Sequence, residues 1–124
     1  VLLALLLAAV PLTLRVEYVH LGSATEERFA LDRVVAEGPW AGPADRRIDE
    51  TNLGKYLFEV RDRRSNRLLY SRGFASIYGE WEVTGEARER NRSFRESLRF
   101  PEPEGPAQVL LKKRGPDGAF HEVW

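Results

Sequence analysis

Tyr56-Leu57-Phe58-Glu59-Val60-Arg61-Asp62, then Arg63-Arg64-Ser65-Asn66, then Leu68-Leu69-Tyr70-Ser71-Arg72 is the stretch that decides the fold. Aromatic and β-branched residues fill both arms, and polar turn formers stand between them. This is the pattern of a β-hairpin. Working outward, the same logic recurs. Leu14, Val16 and Tyr18 point one way while Arg15 and Glu17 point the other, which predicts a strand with one wet face. Gly22-Ser23-Ala24-Thr25 breaks it, and Arg28 to Val35 predicts a second strand. Ser93 to Phe100 alternates again, with Phe94, Leu98 and Phe100 on one side. Val109 to Lys113, Gly115-Pro116-Asp117-Gly118 and Phe120 to Trp124 predict a last hairpin.

The connecting segments carry breakers. Gly38-Pro39-Trp40-Ala41-Gly42-Pro43 predicts a loop, and Pro101-Glu102-Pro103-Glu104-Gly105-Pro106 a stiff connector. Glu86 to Arg92 is a charge run suited to a helical turn or a loop. Between them, Gly73 and Gly79 stand beside Phe74, Tyr78 and Trp81. That combination suits a strand that bends or lets another surface come close. Short strands separated by turn signals, with no sustained helical period, predict an all-β fold. The expected form is a β-sandwich of about seven to eight short, mainly antiparallel strands.

The chain has 124 residues, a one-domain length. Lysine and arginine total 19 and aspartate and glutamate total 19, interleaved along the chain. That balance argues against a phosphate-tracking surface, so no nucleic-acid partner is expected. The absence of cysteine excludes a disulfide scaffold, a thiolate metal site and a lipid-modified cysteine anchor. Val1 to Val10 is uniformly apolar. It is too short to span a bilayer, which takes about 20 residues, but it suits the apolar region of a signal peptide, with Ala8, Ala9 and Pro11 as a cleavable exit. Residues 1–12 are therefore expected to be a signal-peptide remnant and 13–124 the folded domain. The expected location is secreted, periplasmic or cell-envelope, without a stable membrane anchor.

His121-Glu122-Val123-Trp124 matches the first four positions of the H-E-x-x-H zinc motif. That motif needs a helix, so that histidines four apart share one face. A hairpin return places them too far apart, so His121 is expected to be an ordinary strand histidine. His20, the other histidine, has no spacing that indicates a metal partner. Ser71, Ser76, Ser93 and Ser97 stand in no nucleophile elbow. Glu80 beside Trp81 is a carboxylate against an apolar wall, the setting for a raised pKa, but a glycosidase needs a matched second one. No catalytic, cofactor or metal residue is assigned. Trp40, Tyr78 and Trp81 are the candidate interface or binding aromatics, since large rings fill cores and interfaces and also stack on sugars.

Several segments together resemble one family. They are Phe29 to Val35 followed by Gly38-Pro39-Trp40-Ala41-Gly42, then Ile48 to Val60, Leu69 to Trp81, and Phe94 to Pro101. Their order and spacing are similar to the N-terminal domain of the IgA peptidase family of zinc metallopeptidases, over about Leu14 to Trp124. The resemblance implies a β-sandwich ahead of a separate catalytic domain, where the zinc and its H-E-x-x-H helix reside. On that basis the chain is expected to be a non-catalytic accessory domain without a cofactor of its own. It would support folding, domain packing or substrate presentation. Its expected partners are the downstream catalytic domain and a protein or glycan substrate. The alternative expectation is an independent carbohydrate- or protein-binding module acting through Trp40, Tyr78 and Trp81.

Overall fold

The computed structural model describes residues 9–124. The leader expectation rests mainly on residues 1–8, which lie outside the described residues. The elements are β1 (Leu12–Gly22), β2 (Glu27–Pro39), β3 (Tyr56–Asp62), β4 (Leu68–Phe74), α1 (Ile77–Trp81), α2 (Gly85–Glu89), β5 (Arg92–Pro101), β6 (Ala107–Arg114) and β7 (Phe120–Glu122). They form two antiparallel sheets, one ordered β2-β1-β5 and the other β4-β3-β6-β7. The expected all-β sandwich is the observed architecture. None of the described helices is long and apolar enough to cross a membrane.

Alternation builds the core. Val16 and Tyr18 of β1 and Leu98 and Phe100 of β5 face Phe58 and Val60 of β3, Tyr70 of β4 and Leu111 of β6. β1 and β5 turn one face inward and wet the other, as their period-two pattern requires, while β3 also buries Glu59 on its outer side. The predicted β3–β4 hairpin forms. Its turn is held by Asp62, whose Oδ1 accepts from the amides of Arg64 and Ser65 at 2.9 and 2.7 Å. Asn66 takes a positive φ of 59° to close it, a conformation asparagine tolerates better than most residues.

Two expectations are corrected. The loop foreseen from Gly38 starts later, because β2 runs on to Pro39, opposite Leu12. The Trp40 amide still bonds to the Pro11 carbonyl at 2.8 Å. Since successive amides point to opposite sides, the donor Pro39 lacks falls on the open edge of the sheet, where no bond is lost. The bent strand foreseen through Gly79 is instead the short helix α1. Ser76 caps it, its Oγ accepting from the Gly79 amide at 2.8 Å. The close approach that the glycines suggested is present. A Cβ on Gly73 would lie 2.2 Å from the Leu53 carbonyl oxygen, and one on Gly79 would lie 2.7 Å from the Tyr56 ring. The charge run forms α2, whose Ala87 packs under Tyr78 and Trp81 in a second small core beside Phe94.

Candidate functional site

The polar residues with the most unusual surroundings lie inside the sandwich. His20 continues the inward parity of Val16 and Tyr18 on β1 and is 0% exposed. Its ring is stacked between Tyr78, with centroids 4.0 Å apart, and Phe29, at 4.2 Å. The Tyr56 ring meets it edge-on. Nδ1 lies 2.9 Å from Glu96 Oε2, and Nε2 lies 2.8 Å from Glu27 Oε1. With a carboxylate at each nitrogen, the arrangement favours the imidazolium, the form that donates from both.

Each carboxylate is satisfied in turn. Glu96 also accepts from the Tyr18 hydroxyl at 2.9 Å and the Tyr78 amide at 3.2 Å. Glu27 also accepts from the Tyr56 hydroxyl at 2.7 Å and from Lys113 Nζ at 2.6 Å. Lys113 reaches on to Glu82 at 2.8 Å, and Glu82 pairs with Lys55. The result is a line of alternating charge, Glu96, His20, Glu27, Lys113, Glu82 and Lys55. It joins β5, β1 and β2 of one sheet to β6 of the other, to the residue after α1, and to the residue before β3.

The charges set the protonation states. Burial alone would push the His20 imidazole down, but hydrogen bonds to Glu27 and Glu96 and their charges outweigh it, and its pKa is raised. Burial would push Glu27 up, yet bonds from His20, Lys113 and Tyr56 hold it down at about 2. Glu96 is lowered on the same balance, with burial opposed by His20 and the Tyr78 amide. Burial and then the charges of Glu27 and Glu82 push Tyr78 up to about 12.

This arrangement is unsuited to acid–base or metal chemistry. A general base needs a free nitrogen within reach of substrate, whereas His20 has neither a free nitrogen nor access. Its two nitrogens point at separate carboxylates, so the three side chains do not converge on one point. Among the described residues, no group of three or more histidine, aspartate or glutamate side chains is placed to hold a metal. The candidate serines are engaged or isolated. Ser76 caps α1, Ser71 Oγ accepts from the Asp49 amide at 2.9 Å, and Ser93 and Ser97 sit on the exposed side of β5. Glu80 is exposed.

His121 lies on β7, in the other sheet from His20, and its Nε2 pairs with Asp117 across the exposed tip of the last hairpin. Tyr78 and Trp81 come together, 0% and 7% exposed, in the small core under α2. Trp40 lies elsewhere, half-buried edge-on to Tyr70. The three rings do not share a surface. Trp81 Nε1 is buried without an acceptor among the described residues.

Of the network, only His20 is weighed from the sequence, and only as a metal ligand, although a signal for the whole network existed. His20 shares the parity of Tyr18, Glu96 that of Phe94 and Leu98, Lys113 that of Leu111, and Glu27 that of Phe29. A polar residue on the apolar parity of a strand must find a buried partner. A search among curated proteins finds no match. The family model described as Peptidase M64 N-terminus matches residues 8–124, and the chain belongs to that family, as the N-terminal domain of a peptidase.

Proposed function

We propose that the chain is a non-catalytic accessory domain of an exported zinc metallopeptidase, supporting the downstream catalytic domain by packing on it. The observation that carries this reading is the family match over residues 8–124. The closed state of the polar cluster fits it, since His20 is fully buried and both its nitrogens are taken. The binding-module alternative draws less support, because Tyr78 and Trp81 turn inward. The apolar residues 1–10 support export.

The test is to produce the parent peptidase with and without residues 13–124 and to assay the chain by itself. The chain should digest no protein substrate and hold no stoichiometric zinc. The parent lacking the domain should lose soluble yield and melt at a lower temperature. An unchanged melting temperature and unchanged kcat/KM without the domain would overturn the accessory role. Zinc bound tightly by the chain, with activity lost on His121→Ala, would overturn the non-catalytic assignment.

A further inference from the structure

Among the described residues the sandwich has four sheet edges, and three of them are protected. Segment 47–49 covers β4. The Ser71 amide bonds to the Arg47 carbonyl at 2.9 Å, and the Gly73 amide bonds to Asp49 at 2.8 Å. β7 is three residues long. β5 exposes Arg92, Arg95 and Arg99 and no exposed acid, so a second strand of the same kind would be repelled. Such devices are how native sheets prevent edge-to-edge pairing.

β2 carries a bulge and ends in Pro39, lighter devices of the same kind, but it is thirteen residues long and, among the described residues, pairs only with β1. Among the described residues, no backbone hydrogen bond outside that pairing involves Glu27–Pro39. Two large apolar side chains stand open on it, Leu31 at 59% and Val34 at 54% exposure. A bulge opposite Glu17 and Tyr18 places them on one face. Leu31 lies opposite Tyr18 and Val34 opposite Val16, both on the core side.

We propose that β2 is a self-association edge, on which two copies of this chain pair antiparallel about a two-fold axis to form one continuous sheet. The sequence of β2 is complementary to itself in one register. Arg28 falls opposite Glu37 of the second copy, Phe29 opposite Ala36, Ala30 opposite Val35, Leu31 opposite Val34, and Asp32 opposite Arg33. Each opposition occurs twice by symmetry, as an isologous interface requires. Opposite charges meet at both charged positions, and apolar residues meet at every position between them. Slipping the register by one residue in either direction sets Asp32 on Asp32 or Arg33 on Arg33.

The faces agree as well, which antiparallel partners must satisfy. Phe29, Leu31, Val34 and Ala36 lie opposite the core-facing residues His20, Tyr18, Val16 and Leu14 of β1. Ala30 and Val35 lie opposite Val19 and Arg15, on the outer face. Asp32 and Arg33 also point to the outer face, where they pair with Arg95 and Glu17 of their own chain. Asp32 and Arg33 nonetheless keep 38% and 63% of their side chains exposed. The side chains can therefore serve both partners.

Sedimentation of the chain across a concentration series should show a reversible monomer–dimer equilibrium. Leu31→Lys places ammonium groups in the apolar stripe and should weaken the dimer about tenfold or more, about 1.4 kcal/mol or beyond. At 59% exposure the change should leave the melting temperature of the monomer intact. Since the chain has no cysteine of its own, a second measurement reads the register directly. Leu31→Cys and Val34→Cys chains, mixed under mild oxidation, should give the 31–34 cross-linked heterodimer in preference to 31–31 or 34–34 products. A chain that stays monomeric to millimolar concentration overturns the proposal. So does a dimer that Leu31→Lys leaves unchanged, or cross-linking without the 31–34 preference, and the cross-link result stands even if Leu31→Lys perturbs folding.

Discussion

Replacing His20 by leucine isolates the energetics of the buried charges. Leucine fills much of the space of the ring between Phe29 and Tyr78, so the main loss is electrostatic. Two charge-assisted bonds disappear, at 2.9 and 2.8 Å, each worth about 1.5–3 kcal/mol. The carboxylates are not orphaned. Glu96 keeps the Tyr18 hydroxyl and the Tyr78 amide, and Glu27 keeps Tyr56 and Lys113. Removing one member of a buried ionic pair generally costs about 3–5 kcal/mol, and that is the expected loss in slightly acidic solution. It is a large part of the roughly 5–15 kcal/mol a domain commonly has. The pH dependence identifies the cause. His20 has its folded pKa raised above its ordinary 6.5, so its contribution is complete below 6.5 and fades as pH rises through the folded value. Glu27 and Glu96 have theirs lowered from 4.5, so their contribution is complete above 4.5 and fades as pH falls through their folded values. Stability from the network is therefore greatest between about pH 4.5 and 6.5, and the other groups facing the ring, Tyr18, Tyr56 and Tyr78, are all raised and stay neutral there. Urea unfolding followed by tryptophan fluorescence, repeated across pH, measures both effects. The parent chain should weaken on the alkaline side while His20→Leu stays flat, so the two converge. A loss under about 1 kcal/mol near pH 6, or a gap that does not narrow on the alkaline side, would refute this account.

Trp81→Ala should cost about 3–5 kcal/mol in the same urea assay, because it empties the small core shared with Tyr78 and Ala87. Gly22→Ala should cost about 1–3 kcal/mol or prevent folding: Gly22 has φ 143°, and a Cβ there would lie 1.9 Å from the Glu26 carbonyl oxygen. Circular dichroism melts will detect either result. His121→Ala should change stability by less than about 0.5 kcal/mol, since its pair with Asp117 is more than half exposed; a larger drop in the melting transition would contradict a surface role.

The strands were legible because each carries its own period. Leu14, Val16 and Tyr18 need no distant information to be read as one buried face, and Asp62 to Asn66 holds its turn by local bonds. α1 and α2 were harder, because five residues complete little more than one helical turn and cannot show a period. Ser76 and the Gly79 amide it caps were the available cue. The charge network was legible only in part. Strand parity turns His20, Glu96 and Lys113 inward, but parity does not say which inward group meets which. Glu96 is 76 residues from His20, and Lys113 is 86 from Glu27. The first meeting comes from the pairing of β1 with β5 within one sheet and the second from the stacking of the two sheets, neither of which one-dimensional patterning encodes.

That separation gives the alternating charges a role in how the chain finds its native pairing. Glu96 of β5 faces the core beside His20, while its neighbours Arg95 and Ser97 face outward. A one-residue slip of β5 against β1 would exchange the two faces. It would turn Arg95 or Ser97 toward the His20 ring and carry Glu96 to the wet side. The buried imidazolium would then keep only one of its two carboxylates, which is costly. The buried ions thus act as a checksum on strand alignment.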